Sequence, residues 1–294
     1  MKRVLIVGGT GFVGGNMAVL IRESIGVFVF GHRNLHEFDK IHCSRADITK
    51  REELLTAMAE VAPEVVVNAA AISNIDFAEK NQDLAWKVNV LGAEYVAEGC
   101  KAHNARHIFF SSDAVFDGTA QLYREQDAPN PVNFYGRTKA EAERRVMAIH
   151  PNSVVIRVSL VTGYPVTGGN AFYVSVEDHL RKGKEIAVPV QEVRTPVDVR
   201  TLCESALELA VNDYTGIIHI GSTESISRYD LSRKVARAMG YRPDLIKPKE
   251  AEELTDRAPR HRNGIISVQV AQRVLRTRML DVDRSIRRSI EERL

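Results

Sequence analysis

Short apolar runs alternate along the first half of this chain with longer segments whose apolar positions recur every three or four residues. Residues 4–7, 27–30, 41–46, 64–68, 107–110 and 153–158 read as strands, and the valine-rich run at 64–68 suits a strand buried on both faces. Between them the spacing predicts helices over 16–22, 50–61 and 76–103, and from about 135 towards His150. Strand and helix in strict alternation predict an α/β protein with a doubly wound parallel sheet. Beyond residue 158 the rhythm loosens. Loop signals cover 162–170, followed by a helix over 171–182, a strand at 186–188, a helix over 199–211 and a strand at 217–220. Ser227 caps a helix ending near Gly240, and helical segments at 265–278 and 282–292 close the chain.

The first strand runs straight into Gly8-Gly9-Thr10-Gly11-Phe12-Val13-Gly14-Gly15. Glycine lets backbone approach a phosphate closely, and the following helix offers unpaired N–H groups and partial positive charge. The spacing Gly8-x-x-Gly11-x-x-Gly14 is a dinucleotide fingerprint with one extra residue, placed between strand and helix as the mechanism requires. It marks Gly8, Thr10, Gly11, Phe12, Val13 and Gly14 as candidate cofactor contacts in a Rossmann-type sheet; a plain tight turn is the alternative. Residues 1–160 are then the dinucleotide-binding domain and 161–294 mainly a smaller α/β substrate-binding part, with segments at about 185–220 returning to the first.

Dinucleotide folds commonly place an acid about 20 residues beyond the glycines, on the ribose 2′-hydroxyl. No acid appears here until Glu37, and Arg33 stands at the strand exit. A guanidinium there suits a 2′-phosphate, which favours NADP over NAD; otherwise Arg33 is a solvent-exposed loop residue. Asp47 and Ile48 follow the third strand at the expected cofactor edge. Asp47 can accept from an adenine amino group or serve a turn or cap, and Thr49 with Glu52 has the capping-box spacing. Ala69, Ala70 and Ala71 follow the fourth strand, where small residues leave room in the crevice of an open sheet. Asn89, inside the long helical pattern, is satisfied locally or positions active-site backbone.

Three residues suggest chemistry. Ser112 follows the fifth strand, and Tyr135 and Lys139 are four apart on one helix face. A phenol has a pKa of about 10. A nearby ammonium favours the phenolate and brings that value down. Tyr135 then gives a proton to a carbonyl oxygen as hydride reaches the carbon, Ser112 holds the same oxygen, and Lys139 also holds the nicotinamide ribose. Taken alone, a Tyr-x-x-x-Lys pair is as compatible with a helix surface.

Charge adds one feature. The net charge is +2, which gives no global indication of a nucleic-acid partner. From Arg228 onwards there are 17 lysines and arginines against 10 aspartates and glutamates. This excess suits an anionic ligand or simply solvated helix faces. Arg194 before Thr195-Pro196 can clamp a diphosphate or pair with a neighbouring acid. Cys43, Cys100 and Cys203 are scattered, which suits a reducing cytoplasm. Met1-Lys2-Arg3 leads directly into the first strand, with no room for a signal peptide, and no apolar run reaches membrane-span length. His32 and His36 lack a third ligand, so no metal site is expected. A homodimer is compatible with the chain, which specifies no oligomeric state.

These stretches, with Asn68-Ala69-Ala70-Ala71, Ser111-Ser112-Asp113-Ala114-Val115-Phe116-Asp117-Gly118, Tyr135-Gly136-Arg137-Thr138-Lys139 and Thr195-Pro196-Val197-Asp198, resemble the extended short-chain dehydrogenase/reductase family. More narrowly they resemble its dTDP-4-dehydrorhamnose reductase group, as far as about residue 200. The resemblance implies that Ser112, Tyr135 and Lys139 are catalytic. It implies that the later part covers a nucleotide sugar, with Asp113, Ala114 and Arg194 as substrate-side candidates. The expected activity is NADP-dependent reduction of a 4-keto group on a nucleotide-linked deoxysugar. The chain departs from the group's usual Thr at Ser112 and Tyr at Ala114. It also lacks the aromatic residue usual after the sixth strand, where Arg157-Val158-Ser159-Leu160 stands. Related dehydratases carry Asp-Glu after the catalytic hydroxyl, whereas Asp113 is followed by Ala114. A nucleotide-sugar epimerase that recycles bound NAD is an alternative within the family. So is a non-catalytic NADP-binding subunit like the regulatory β subunit of methionine adenosyltransferase.

Overall fold

A computed structural model of the chain describes residues 3–23, 26–31, 38–168, 171–250, 253 and 257–293. Six strands enter in chain order: β1 (Arg3–Val7), β2 (Gly26–Gly31), β3 (His42–Arg45), β4 (Val65–Asn68), β5 (Arg106–Ser112) and β6 (Ser153–Val158). With the later strand Gly216–Ile220 they form a seven-stranded sheet. The order is Gly216–Ile220, β6, β5, β4, β1, β2, β3, and every pairing is parallel. The doubly wound sheet expected from the alternation is therefore present. Its order reverses beside β1, so the glycine turn leaves the sheet at a switch point.

Period-two alternation explains how helices cover both faces. Val4 and Ile6 of β1, with Val65 and Val67 of β4, pack with α1 (Phe12–Ile21) and the helix Val199–Val211. Leu5, Val7 and Val66 face the other way, onto α2 (Arg51–Val61) and α5 (Gly92–Ala102). Beyond β6 a separate apolar cluster joins Tyr173, Val176 and Leu180 to Leu231, Val235, Val282 and Ile286. Asp198, Ser227 and Asp281 cap helices there, each accepting a backbone N–H three residues on.

Several boundaries differ from the sequence reading. Helix α1 begins at Phe12 rather than 16, so Gly14 and Gly15 lie inside it. A Cβ on Gly14 would stand 2.5 Å from the Gly8 carbonyl oxygen, so this glycine is needed where helix meets turn. Thr49 is not the cap of α2. Lys50 holds that position without a side-chain bond, and the Thr49 hydroxyl donates to Asp47 Oδ1 at 2.7 Å.

The segment 76–103 is not one helix. It consists of α3 (Ile75–Lys80), α4 (Gln82–Trp86), a π-helical turn (Lys87–Leu91) and α5. Asn81 interrupts the first two with φ −128° and ψ 56°. Only Gln269–Val274 is helical within 265–278, because Ile265 and Ser267 give their backbones to Tyr123. Among the described residues no helix is long and apolar enough to cross a membrane.

Candidate active site

The glycine turn is shaped by backbone proximity. Gly8 has φ +79°, and a Cβ there would lie 2.6 Å from Ala70 N, so only glycine lets the turn approach the chain leaving β4. Gly11 N donates to Gly8 O at 3.0 Å, and Thr167 Oγ1 donates to Thr10 O at 3.0 Å. Asp47 accepts from Thr49 N at 2.9 Å, the turn role left open above. Ile48 is buried and packs against Gly92. Arg33, His32 and His36 lie outside the described residues.

Helix α6 (Phe134–Ile149) starts from an Asn133 cap whose side chain accepts from Gly136 N at 2.8 Å. A Cβ on Gly136 would overlap the Ala114 carbonyl oxygen, so Gly136 permits the helix start to lie against the chain just after Ser112. Asn89 bonds to groups outside its own helical turn. It accepts from Ile72 N at 2.8 Å and donates to Ile72 O and to Thr138 Oγ1 at 3.2 and 3.0 Å. Thr138 in turn donates to Tyr135 O at 2.7 Å. The chain beyond Ala71 is thereby tied to the helix carrying Tyr135.

One cleft is lined by Gly11, Phe12, Val13, Ala69 and Ala71 together with Ser112, Asp113, Ala114, Tyr135 and Lys139. Burial pushes the Tyr135 phenol up to about 12; the Ser112 hydrogen bond pulls against this, and the Asp113 charge adds to it. The lowering expected from Lys139 is thus not what the structure shows. The ammonium is held elsewhere, donating to Phe110 O at 2.6 Å and lying 4.2 Å from the Phe109 ring centre. Burial brings Lys139 down to about 7, opposed by Glu143 one turn on.

Asp113 is buried beside Ser112, whose hydroxyl is 3.2 Å from its Oδ1. Ser159 Oγ donates to Oδ2 at 2.8 Å, His261 Nε2 lies 3.3 Å away and Arg194 Nε 3.5 Å away. Burial alone would raise this carboxyl, but His261, Arg194 and Ser159 together hold it below its usual range. Of the two readings of Arg194, the structure shows the ion pair. Its other nitrogens donate to the carbonyls of Val193, His261 and Arg262.

With this geometry in view, the family model described as RmlD substrate binding domain matches residues 1–294. The dTDP-4-dehydrorhamnose reductase of Aggregatibacter actinomycetemcomitans is 31% identical over 79% of this chain and 77% of its own length. The chain belongs to the dTDP-4-dehydrorhamnose reductase family. The crystal structure of that reductase from Bacillus anthracis, in complex with NADP, superposes with a TM-score of 0.87 at 26% identity, covering 99% of this chain and all of the other. Methionine adenosyltransferase 2 subunit beta from Xenopus laevis is 27% identical over 84% of this chain and 75% of its own.

In this family member the same cleft is also lined by Glu192, Arg228, Arg260 and His261, none of which the sequence reading singled out. Among the described residues Arg228 Nε is buried with no hydrogen-bond partner, and its guanidinium lies 5.4 Å from the Phe172 ring centre. Burial, together with the positive charge of Arg194, Arg260 and Arg257, pulls the Arg228 pKa down; Glu192 opposes this. Arg260 donates to Asp76 Oδ2 at 2.8 Å. The sequence signal was the basic excess beyond residue 228, but an excess names no residue. The tertiary structure separates these two from arginines on solvated helix faces: Arg260 reaches the cleft from the segment 257–264, and Arg228 from the first position of the helix Arg228–Ala238.

Proposed function

We propose that the chain reduces the 4-keto group of a nucleotide-linked deoxysugar with NADPH, with NADH as a weaker donor. The observation that carries this reading is the meeting, in one cleft, of the glycine turn with Ser112, Tyr135 and Lys139. The turn fits a dinucleotide pyrophosphate, because glycine at 8 and 14, where a Cβ would strike the backbone of Ala70 and Gly8, keeps the turn tight against the start of α1. Gly8, Thr10, Gly11, Phe12, Val13 and Gly14 would hold the phosphates, Ala69 to Ala71 the nicotinamide side, and Asp47 and Ile48 the adenine end. Arg33 is the candidate for the 2′-phosphate, and the NADP in the Bacillus anthracis relative supports that preference. The cofactor, when bound, supplies the hydride.

Tyr135 then donates its phenolic proton to the carbonyl oxygen. With its pKa pushed up to about 12 it is fully protonated at neutral pH, the form an acid in a reduction needs. Ser112 holds the same oxygen. Lys139, whose ammonium is docked on the Phe110 carbonyl, is the candidate for the nicotinamide ribose. Asp113 and Ala114 lie on the sugar side. Arg194 orders the segment over the cleft through the His261 and Arg262 carbonyls, leaving Arg228 and Arg260 as the cations best placed for a diphosphate.

Tyr135→Phe is expected to lower kcat by at least about 10²-fold with little change in NADPH affinity. NADPH oxidation with dTDP-4-dehydro-6-deoxysugar is the assay, and a variant that keeps most of its turnover refutes the mechanism. The relationship to methionine adenosyltransferase 2 subunit beta supports a second reading, an NADP-binding regulatory subunit. Co-purification with a partner, without NADPH oxidation on any keto-sugar, would favour it.

A further inference from the structure

Tyr135, Lys139 and Glu143 are successive members of one face of α6, each four residues from the last. The end of β5 meets all three. Ser112 lines the cleft with Tyr135, the Phe110 carbonyl accepts from Lys139 at 2.6 Å, and the Ser111 hydroxyl donates to Glu143 Oε1. The third of these contacts is closed from β6 by Arg157. Its Nε and Nη2 grip Glu143 at 3.0 and 2.7 Å, and its guanidinium lies 5.0 Å from the Phe116 ring centre.

We propose that Glu143 is a positioning residue for the reduction: through this contact it holds the Lys139 turn of α6 docked against the end of β5. The proposal rests on the reading of Tyr135 and Lys139 given above.

Stability alone is a poor reason for such a pair. Glu143 and Arg157 are 4% and 1% exposed, and a buried ion pair loses in desolvation about what it gains in attraction. Apolar residues of the same volume would hold the helix to the sheet as well. What they would not supply is a negative charge one turn from a buried ammonium.

Among the described residues the charged and titratable groups around Lys139 lie on α6, after β5 and beyond β6, where Glu125 also borders Arg157 and His219. Tyr135 and Glu143 share its helix, and Asp113 follows β5. Arg157 on β6 lies across Glu143, with His219 of Gly216–Ile220 beyond it, kept neutral by burial. Of these, Glu143 is the one whose charge opposes the burial of Lys139. Without it the ammonium would lose its proton at lower pH, and its bond to the Phe110 carbonyl, which docks this turn of α6 against β5, would weaken.

The test is the pH profile of NADPH oxidation in Glu143→Gln, which keeps one acceptor oxygen for Ser111 and Arg157 Nε, turns the other into an amide donor facing Arg157 Nη2, and removes the charge. The basic limb of kcat is expected to move acidward by about one pH unit or more. That corresponds to about a tenfold loss at pH 8.5 against about twofold at pH 6, with the KM for the sugar nucleotide unchanged. Glu143→Gln/Arg157→Met, which leaves no unpaired buried guanidinium, is expected to move the same limb and decides the matter if the single variant does not fold. An unmoved limb, or an equal loss at every pH, overturns the proposal. So does a failure of both variants to fold, which would assign the pair to the fold alone. Tyr135→Phe in the same assay separates the two readings. If it stays active, the parent mechanism fails; if it is inactive while the Glu143→Gln limb stays in place, only this inference fails.

Discussion

Lys139→Met tests whether the buried ammonium is a burden on the fold that the site requires. Lys139 is 2% exposed, and burial takes its pKa from an ordinary 10.5 to about 7. The unfolded chain therefore binds this proton more tightly than the folded one, so wild-type stability rises with pH between about 7 and 10.5. At about 1.4 kcal/mol per pH unit, the charge opposes folding by about 5 kcal/mol below pH 7. The figure falls to about 2 kcal/mol at pH 9 and below about 1 kcal/mol at pH 10. Methionine keeps the length and bulk of the side chain. It abandons the Phe110 carbonyl, which costs about 2 kcal/mol. The variant should thus be more stable than wild type by about 3 kcal/mol at pH 6.5, equal to it near pH 9 and less stable at pH 10. Urea melts of both proteins from pH 6 to 10 measure this crossing. A difference that stays constant with pH, or a variant already weaker at pH 6.5, refutes the reasoning.

Two further substitutions probe how the site is held. Gly136→Ala places a methyl group against the Ala114 carbonyl and must displace the start of α6. It should lower kcat by at least about 10²-fold while NADPH binding, followed by fluorescence, changes little. Asn89→Ala removes three hydrogen bonds, two of them to the Ile72 backbone, and should cost about 3 kcal/mol in a urea melt; a cost below about 1 kcal/mol would mean that water replaces the amide.

The fold was legible through residue 158 because the apolar runs were short and alternated with helical spacings, even across the long connection between β5 and α6. Those are local properties, and they suffice to distinguish a parallel α/β sheet from other classes. Helix boundaries were less legible where a side chain served something distant. The break and π turn within 75–102 accompany an Asn89 that reaches Ile72 and Thr138, contacts no helical periodicity reveals. Thr49 shows the same limit at short range, since its hydroxyl bonds Asp47 rather than capping a helix.

The candidate site divides in the same way. Chain order by itself placed Ser112 at a strand end, Tyr135 and Lys139 on one helix face, and the glycines between strand and helix, because motif spacing and backbone geometry are properties of a few neighbouring residues. Only the tertiary structure decided how charge is arranged around them. It brings Glu143 and Arg157 together from a helix and a strand, and sets Arg194 and His261 against Asp113. It also takes Lys139 to the Phe110 carbonyl and raises Tyr135 instead of lowering it. Burial sets those ionisation states, and burial is a sum over residues far apart in the chain, which no local pattern encodes.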